Sequence, residues 1–328
     1  MSLKDRVELI EQIEKHRKSR LISYITGDRQ PFATKIADDV IPMFERHLQK
    51  VGESNTISLF LYTRGGDMLA PIRLAKLIRN YCKNFEVIVP YRAHSAGTLL
   101  AMGADKIVMG KMSELSPVDP STGHPFNPKN PLNPQQPIEI SVEDVNSYFL
   151  FAKEKAGVKD ERMGEIYTQL TAHLHPLAIG HVYRGYRMSK MIVERLLKLH
   201  MNAEKDAKKI ERIIDNLTNL ICIHHYPITK DEAKQIGLKI DECKKDVEKS
   251  VWQLYESYAQ EMELENPFNP VEALGDLNEK DFVCSGAYIE SRDTSNAFMF
   301  RGKLQKIQQP TGQMGVNVNV QSSKWEVI

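Results

Sequence analysis

Ile57-Ser58-Leu59-Phe60-Leu61-Tyr62-Thr63-Arg64-Gly65-Gly66-Asp67, followed by Glu86-Val87-Ile88-Val89-Pro90 and then Ala93-His94-Ser95-Ala96-Gly97-Thr98, decide how this chain is read. Residues 57–63 and 86–90 are short apolar runs rich in β-branched and aromatic side chains, the pattern of buried strands. Each gives way to small residues and then to helical spacing: Met68, Ile72, Ala75 and Ile78 after the glycine pair, and Ala96 to Ala101 after the serine. A serine at a strand-to-helix elbow is exposed by the sharp turn, and the first N–H groups of the helix point toward it. Adjacent glycines at a neighbouring strand end let bare backbone amides approach a ligand with no Cβ in the way. Ser95 is therefore the candidate nucleophile, and the amides of Gly65, Gly66 and Ala96 the candidate oxyanion hole. Either segment alone is equally the sequence of a tight turn or of a helix N-cap; their order, spacing and shared element type point to chemistry.

That combination resembles the Clp protease catalytic subunit, the signal peptide peptidases and the wider crotonase superfamily, and most of all the serine dehydrogenase proteinase family. The resemblance spans roughly residues 20–240. It rests on Tyr62-Thr63-Arg64-Gly65-Gly66-Asp67, on Ala93-His94-Ser95-Ala96-Gly97-Thr98 and on Ser113-Glu114-Leu115-Ser116-Pro117-Val118-Asp119-Pro120. It continues through His175-Pro176-Leu177-Ala178-Ile179-Gly180 and Pro227-Ile228-Thr229-Lys230-Asp231-Glu232-Ala233, with Gly237-Leu238 beyond. It implies an α/β fold, a spiral of ββα units, and a cytoplasmic serine peptidase acting on peptides or unfolded segments as a homo-oligomer. An ATP-dependent unfoldase is then a possible partner.

At 328 residues the chain exceeds the usual single core, so a large domain with a smaller appendage is expected. Its 41% hydrophobic and 27% charged residues are ordinary for a soluble protein. A formal net charge of +1 gives no electrostatic case for nucleic acid or an anionic membrane as partner. Cys82, Cys222, Cys243 and Cys284 are scattered with no C-x-x-C pair, which reads as reduced thiols packed as small hydrophobes. No run approaches the roughly 20 apolar residues of a membrane span, and the N-terminus lacks the apolar core of a signal peptide. It reads as an amphipathic helix with Leu3, Val7, Ile10 and Ile13 on one stripe, packed on the core or on a second subunit.

The expected organisation is a Clp/crotonase-like domain over 1–265 and a β-rich appendage over 266–328. Within the first, residues 117–137 form a proline-rich surface loop, with Pro125, Pro128, Pro131, Pro134 and Pro137 at every third position. Residues 142–219 read as a helical insertion, interrupted near Pro176 and Gly180. Its stretch 193–217 has the spacing of one long amphipathic helix, like the handle helix of the related proteases. Residues 219–223 read as a strand, and Thr229 with Glu232 as a capping box opening a helix.

A serine hydroxyl needs a base, and here the sequence leaves alternatives open. The segment that supplies the histidine in the Clp subunit reads Leu115-Ser116-Pro117-Val118, and the position of its third residue holds His225. The candidates are His175, His181, His224, Lys153 and Lys155. His175 is favoured because it belongs to the family-like His-Pro-Leu-Ala-x-Gly segment at a helix break, with Asp119 to orient it. His94 points away from Ser95 if that segment is extended. No metal site is expected, since His173 and His175 sit two apart and Cys222 and His224 have no second pair at ligand spacing. With neither a dinucleotide fingerprint nor a Walker A motif, no cofactor is expected either. Two other functions compete: a non-catalytic assembly or binding protein that keeps the fold, and a crotonase-type acyl-CoA enzyme. Ser95 and the lack of a basic cluster for CoA phosphates speak against the latter.

Overall fold

The computed structural model describes residues 3–118, 124–131, 133, 137–220, 226–308 and 314–328. The chain divides into two compact units, Met1–Leu115 with Pro227–Ile328, and Ser116–Tyr226.

The first unit is built on an eight-stranded sheet. Its strands are β1 (Arg20–Thr26), β2 (Ser54–Tyr62), β3 (Cys82–Val89), β5 (Lys106–Met109), β8 (Ile240–Glu242), β9 (Glu279–Ser291), β10 (Thr294–Gln308) and β11 (Met314–Val327), in the order β11-β10-β9-β1-β2-β3-β5-β8. The five strands β1, β2, β3, β5 and β8 are mutually parallel, and β9 joins β1 antiparallel. Three two-residue strands, β4 (Arg92–Ala93), β6 (Glu114–Leu115) and β7 (Ile228–Thr229), make a second small sheet. Where β1, β2, β3 and β5 are buried they are mostly apolar, because helices cover the sheet: α1 (Leu3–Arg17), α2 (Ile41–Val51), α3 (Ala70–Arg79), α4 (Ala96–Met102), α9 (Lys230–Ile236), α10 (Lys245–Glu261) and α11 (Pro270–Leu274).

The amphipathic N-terminal helix packs inward. Leu9, Ile10 and Ile13 join Val247, Val251 and Leu254 of α10 in the core, and burying each such side chain contributes roughly 1.5–3 kcal/mol. Arg6 adds a buried fork to Glu290 at 2.8 and 2.9 Å. The same carboxylate accepts Tyr258 Oη at 2.7 Å and Ser295 Oγ at 2.6 Å. Every lone pair of a buried carboxylate thus has a donor at hand, which its desolvation requires.

The β-rich segment expected at 266–328 supplies β9, β10 and β11, and these extend the central sheet from β1. Tyr24 lies opposite Ile289 and Ile25 opposite Tyr288, so the two segments share one core. The division into compact units falls at the borders of 116–226 rather than at 265. A period of two identifies a strand but carries no information on which neighbour it pairs with.

The second unit is helical: α5 (Val142–Glu154), α6 (Met163–His173), α7 (Pro176–Leu197) and α8 (Ala207–Asp215), followed by a π-helical turn, Asn216–Leu220. Ser141 and Asp144 form a capping box at α5. Within the expected proline-rich loop, Asn127 and Pro128 bond back to Ile138, the latter at 2.7 Å. The single helix expected over 193–217 is instead two, because Asn202 Oδ1 accepts the N–H groups of Glu204 and Lys205 and turns the chain between them. Of the strand expected at 219–223, Asn219 and Leu220 lie in the π-helical turn and the rest lies outside the described residues. Gly180 does not break α7; the interruption is at His175 and Pro176, where Pro occupies the first helical position.

Candidate active site

The glycine loop and the serine elbow are sewn together at the carboxyl ends of the parallel strands, where open α/β sheets form ligand crevices. Thr63 pairs with Ala93 as a parallel bridge, its N–H donating to Arg92 O at 3.0 Å and its carbonyl accepting His94 N–H at 3.1 Å. On the other side Gly66 pairs with Ile36: Ile36 N–H donates to Gly65 O and Asp67 N–H to Ile36 O, both at 2.8 Å. The buried Thr63 hydroxyl takes a hydrogen bond from Thr26 Oγ1 at 2.7 Å and accepts Gly65 N–H at 2.9 Å.

Ser95 sits at φ 50°, ψ −111°, immediately before α4. A non-glycine residue there is strained, and such strain persists only where the surroundings over-determine it; the sharp turn lifts the side chain out of the strand path, as in a nucleophile elbow. The close approach of Gly65 explains its identity. Its φ is +114°, and a Cβ there would lie 2.8 Å from Ser95 Cβ and 3.3 Å from Ala96 N. At Gly66, φ +151°, a Cβ would lie 2.1 Å from Ile36 O. Behind the elbow Gly97 presses on Thr63, with Cγ2 2.4 Å from where a Cβ would be. Of the three candidate oxyanion amides, that of Gly65 is thus engaged by Thr63. Among the described residues no backbone acceptor takes the N–H of Gly66 or of Ala96.

A charged cluster borders the elbow. Asp28 pairs with Arg64 and, at 3.3 Å, with Arg92; Arg92 reaches Glu114 at 3.6 Å and lies over the Tyr91 ring, 4.2 Å from its centre. His94 Nε2 lies 3.0 Å from Glu114 Oε1. Burial pushes the Glu114 carboxyl above its ordinary range, while Arg92 and Arg64 pull the other way. Sequence reasoning assigned no part to Thr63, Asp28, Arg92 or Glu114. The available signal was their position, directly after the parallel strands or within the family-like segments.

Ser95, Gly65, Gly66 and Ala96 are brought together in the first unit. The candidate bases His175, His181, Lys153 and Lys155 belong to the second unit, while His224 and the expected orienting group Asp119 lie outside the described residues. His175 is the N-cap of α7: its Nδ1 accepts Leu177 N–H at 3.2 Å and its ring stacks on Phe126, centroids 4.2 Å apart. His181 contacts Arg184 at 2.6 Å, and Lys153 is an exposed partner of Asp160 at 2.8 Å. Lys155 is the exposed C-cap of α5. Among the described residues no group of three or more His, Cys, Asp or Glu side chains is placed to hold a metal. Among the described residues no helix is long and apolar enough to cross a membrane.

A mixed sheet with five parallel strands, and a glycine loop abutting a strained serine at their carboxyl ends, is the α/β arrangement that the sequence segments imply. Comparison with known proteins agrees: residues 1–129 match the family model of ClpP-like SDH-type serine proteinases, the family to which the sequence segments point. Two uncharacterized proteins of Methanocaldococcus jannaschii are similar. One is 32% identical over 215 residues, 66% of this chain and 63% of its own length; the other is 28% identical over 268 residues, 78% and 77% of the two lengths. The chain thus spans less than two thirds of the first of these relatives. Among solved structures, the 1510-N membrane-bound stomatin-specific protease aligns at 15% identity over 69% of this chain and 81% of its own, TM-score 0.37. ClpP1 of Listeria monocytogenes aligns at 16% identity over 72% and 99%, TM-score 0.36.

Proposed function

We propose that the chain is a serine peptidase that cleaves peptides or unfolded protein segments through an acyl-enzyme on Ser95. The observation that carries this reading is the strained Ser95 backbone with the side-chain-free Gly65 packed against it. Attack of Ser95 Oγ on a scissile carbonyl carbon forms the C–O bond and places negative charge on the carbonyl oxygen. The amides of Gly66 and Ala96 are the donors for that oxygen, because Gly65 N–H is spent on Thr63. Collapse expels the amine, which takes a proton, and water then hydrolyses the ester.

His175 as base and Asp119 as its orienting group belong to the same proposal. With Nδ1 accepting Leu177 N–H, a neutral His175 carries its proton on Nε2. It can take the serine proton only on a nitrogen released from that cap. The proposal includes a homo-oligomer in the cytoplasm, with any unfolding of stable substrates done by an ATP-dependent partner. The test is hydrolysis of a fluorescein-labelled unfolded casein by the wild type, Ser95→Ala and His175→Ala across pH 5–9. Loss of turnover in Ser95→Ala, and a changed pH profile in His175→Ala, are expected. Full turnover in Ser95→Ala overturns the peptidase reading, and an unchanged pH profile in His175→Ala overturns the base.

A further inference from the structure

The two edges of the central sheet are finished differently. At one end β8 is only three residues long, and its Asp241 and Glu242 are held by Arg17, Lys106 and Lys234. Shortness and charge are the usual means of closing an edge against further pairing. At the other end β11 runs for 14 residues, and no strand lies beyond it among the described residues. From Met314 to Ser323 it carries no charged residue. A row of backbone N–H and C=O groups is therefore offered along an uncharged strand, which is a template for another strand.

The sequence of that strand states what fits it. Val316-Asn317-Val318-Asn319-Val320 reads the same in both directions. An antiparallel partner of identical sequence, related by a two-fold axis at Val318, sets Val316 against Val320 and Asn317 against Asn319 on every side. Cross-strand neighbours are then alike in shape and hydrogen-bonding capacity, and no like charges oppose. The faces are sorted as well. Val316 and Val318 pack toward the cluster of Phe32, Leu274, Phe282 and Leu304, whereas Asn317 and Asn319 are exposed. Met314 and Val320 are left 60% and 43% exposed, and a second β11 would cover both.

We infer that β11 is a homotypic interface: two copies of this chain join edge to edge about a two-fold axis at Val318, making one continuous sheet of the two. The interface is isologous and stands apart from the chemistry at Ser95, so neither result depends on the other.

The test is the solution mass of the full chain, 37.5 kDa per copy, by sedimentation velocity. The compared variants are Asn317→Lys with Asn319→Lys and Asn317→Glu with Asn319→Glu, all at exposed positions. The wild type should contain an even number of copies, and each variant alone should sediment at half that mass because like charges face across the axis. An equimolar mixture of the two variants should restore the wild-type mass. A wild type with a single copy, variants that keep the wild-type mass, or a mixture that stays at half mass each overturn the inference.

Discussion

Replacing Gly65 by alanine tests how the elbow is built. At φ +114° an L side chain is strained by about 1–3 kcal/mol. The new Cβ would stand 2.8 Å from Ser95 Cβ, whereas carbon atoms rest at about 3.5–4.0 Å. The two loops must therefore part by at least about 0.7 Å. Neither loop is free to move, since Gly65 is tied to Thr63 and Ile36, and residues 92 and 94 are tied to Thr63. A displacement near 1 Å at a reacting centre costs on the order of 10² in rate. Gly65→Ala should thus lose about 1–3 kcal/mol of stability and acylate about a hundredfold more slowly, measured as the second-order rate of fluorophosphonate labelling. Gly52→Ala is the control: its φ is +72° with nothing within 4 Å of the added Cβ, so it should lose stability but keep the rate. Labelling of Gly65→Ala within about threefold of wild type would refute the argument.

Three further outcomes are expected. Arg6→Ala strands the Glu290 carboxylate in the core and should cost about 3–5 kcal/mol in urea unfolding; a loss under about 1 kcal/mol contradicts the account of that ion pair. Burial alone would raise the Glu86 carboxyl, but hydrogen bonds from Arg17 and Ser58, with Lys106 nearby, outweigh it and hold it below the ordinary range. Such a group stabilises the fold above its unfolded value, about pH 4.3, and that stabilisation is lost as the pH falls through the lower folded value. The stability gap between wild type and Arg17→Met should accordingly be full at pH 7 and shrink below about pH 4; a gap that widens on acidification contradicts the reasoning. Burial pushes the thiols of Cys82 and Cys243 up to about 11, so both should react with Ellman's reagent at pH 7 at least about tenfold more slowly than free cysteine.

The parallel core was legible because a strand buried on both faces is mostly apolar, as 57–63 and 86–90 are apart from Ser58, Thr63 and Glu86. The elbow was legible from the order, spacing and shared element type of the glycine pair and the serine, since either segment alone is equally a turn or a helix N-cap. What could not be read were relations between distant segments. Nothing local to Tyr288, Ile289 and Glu290 announces that they pair with β1 and bind Arg6. Nor does Thr63 announce that its hydroxyl occupies the Gly65 amide. The break between α7 and α8 was hidden because a short polar loop with Asn202 leaves the flanking helical spacing in phase.

The central claim is that Ser95 is an activated nucleophile, and the most direct measurement is the intact mass of the protein after fluorophosphonate treatment, with the adduct located by peptide mapping. One adduct per chain, on the peptide carrying Ser95 and absent in Ser95→Ala, is the predicted result. No adduct on the wild type, or an adduct that persists in Ser95→Ala, contradicts it.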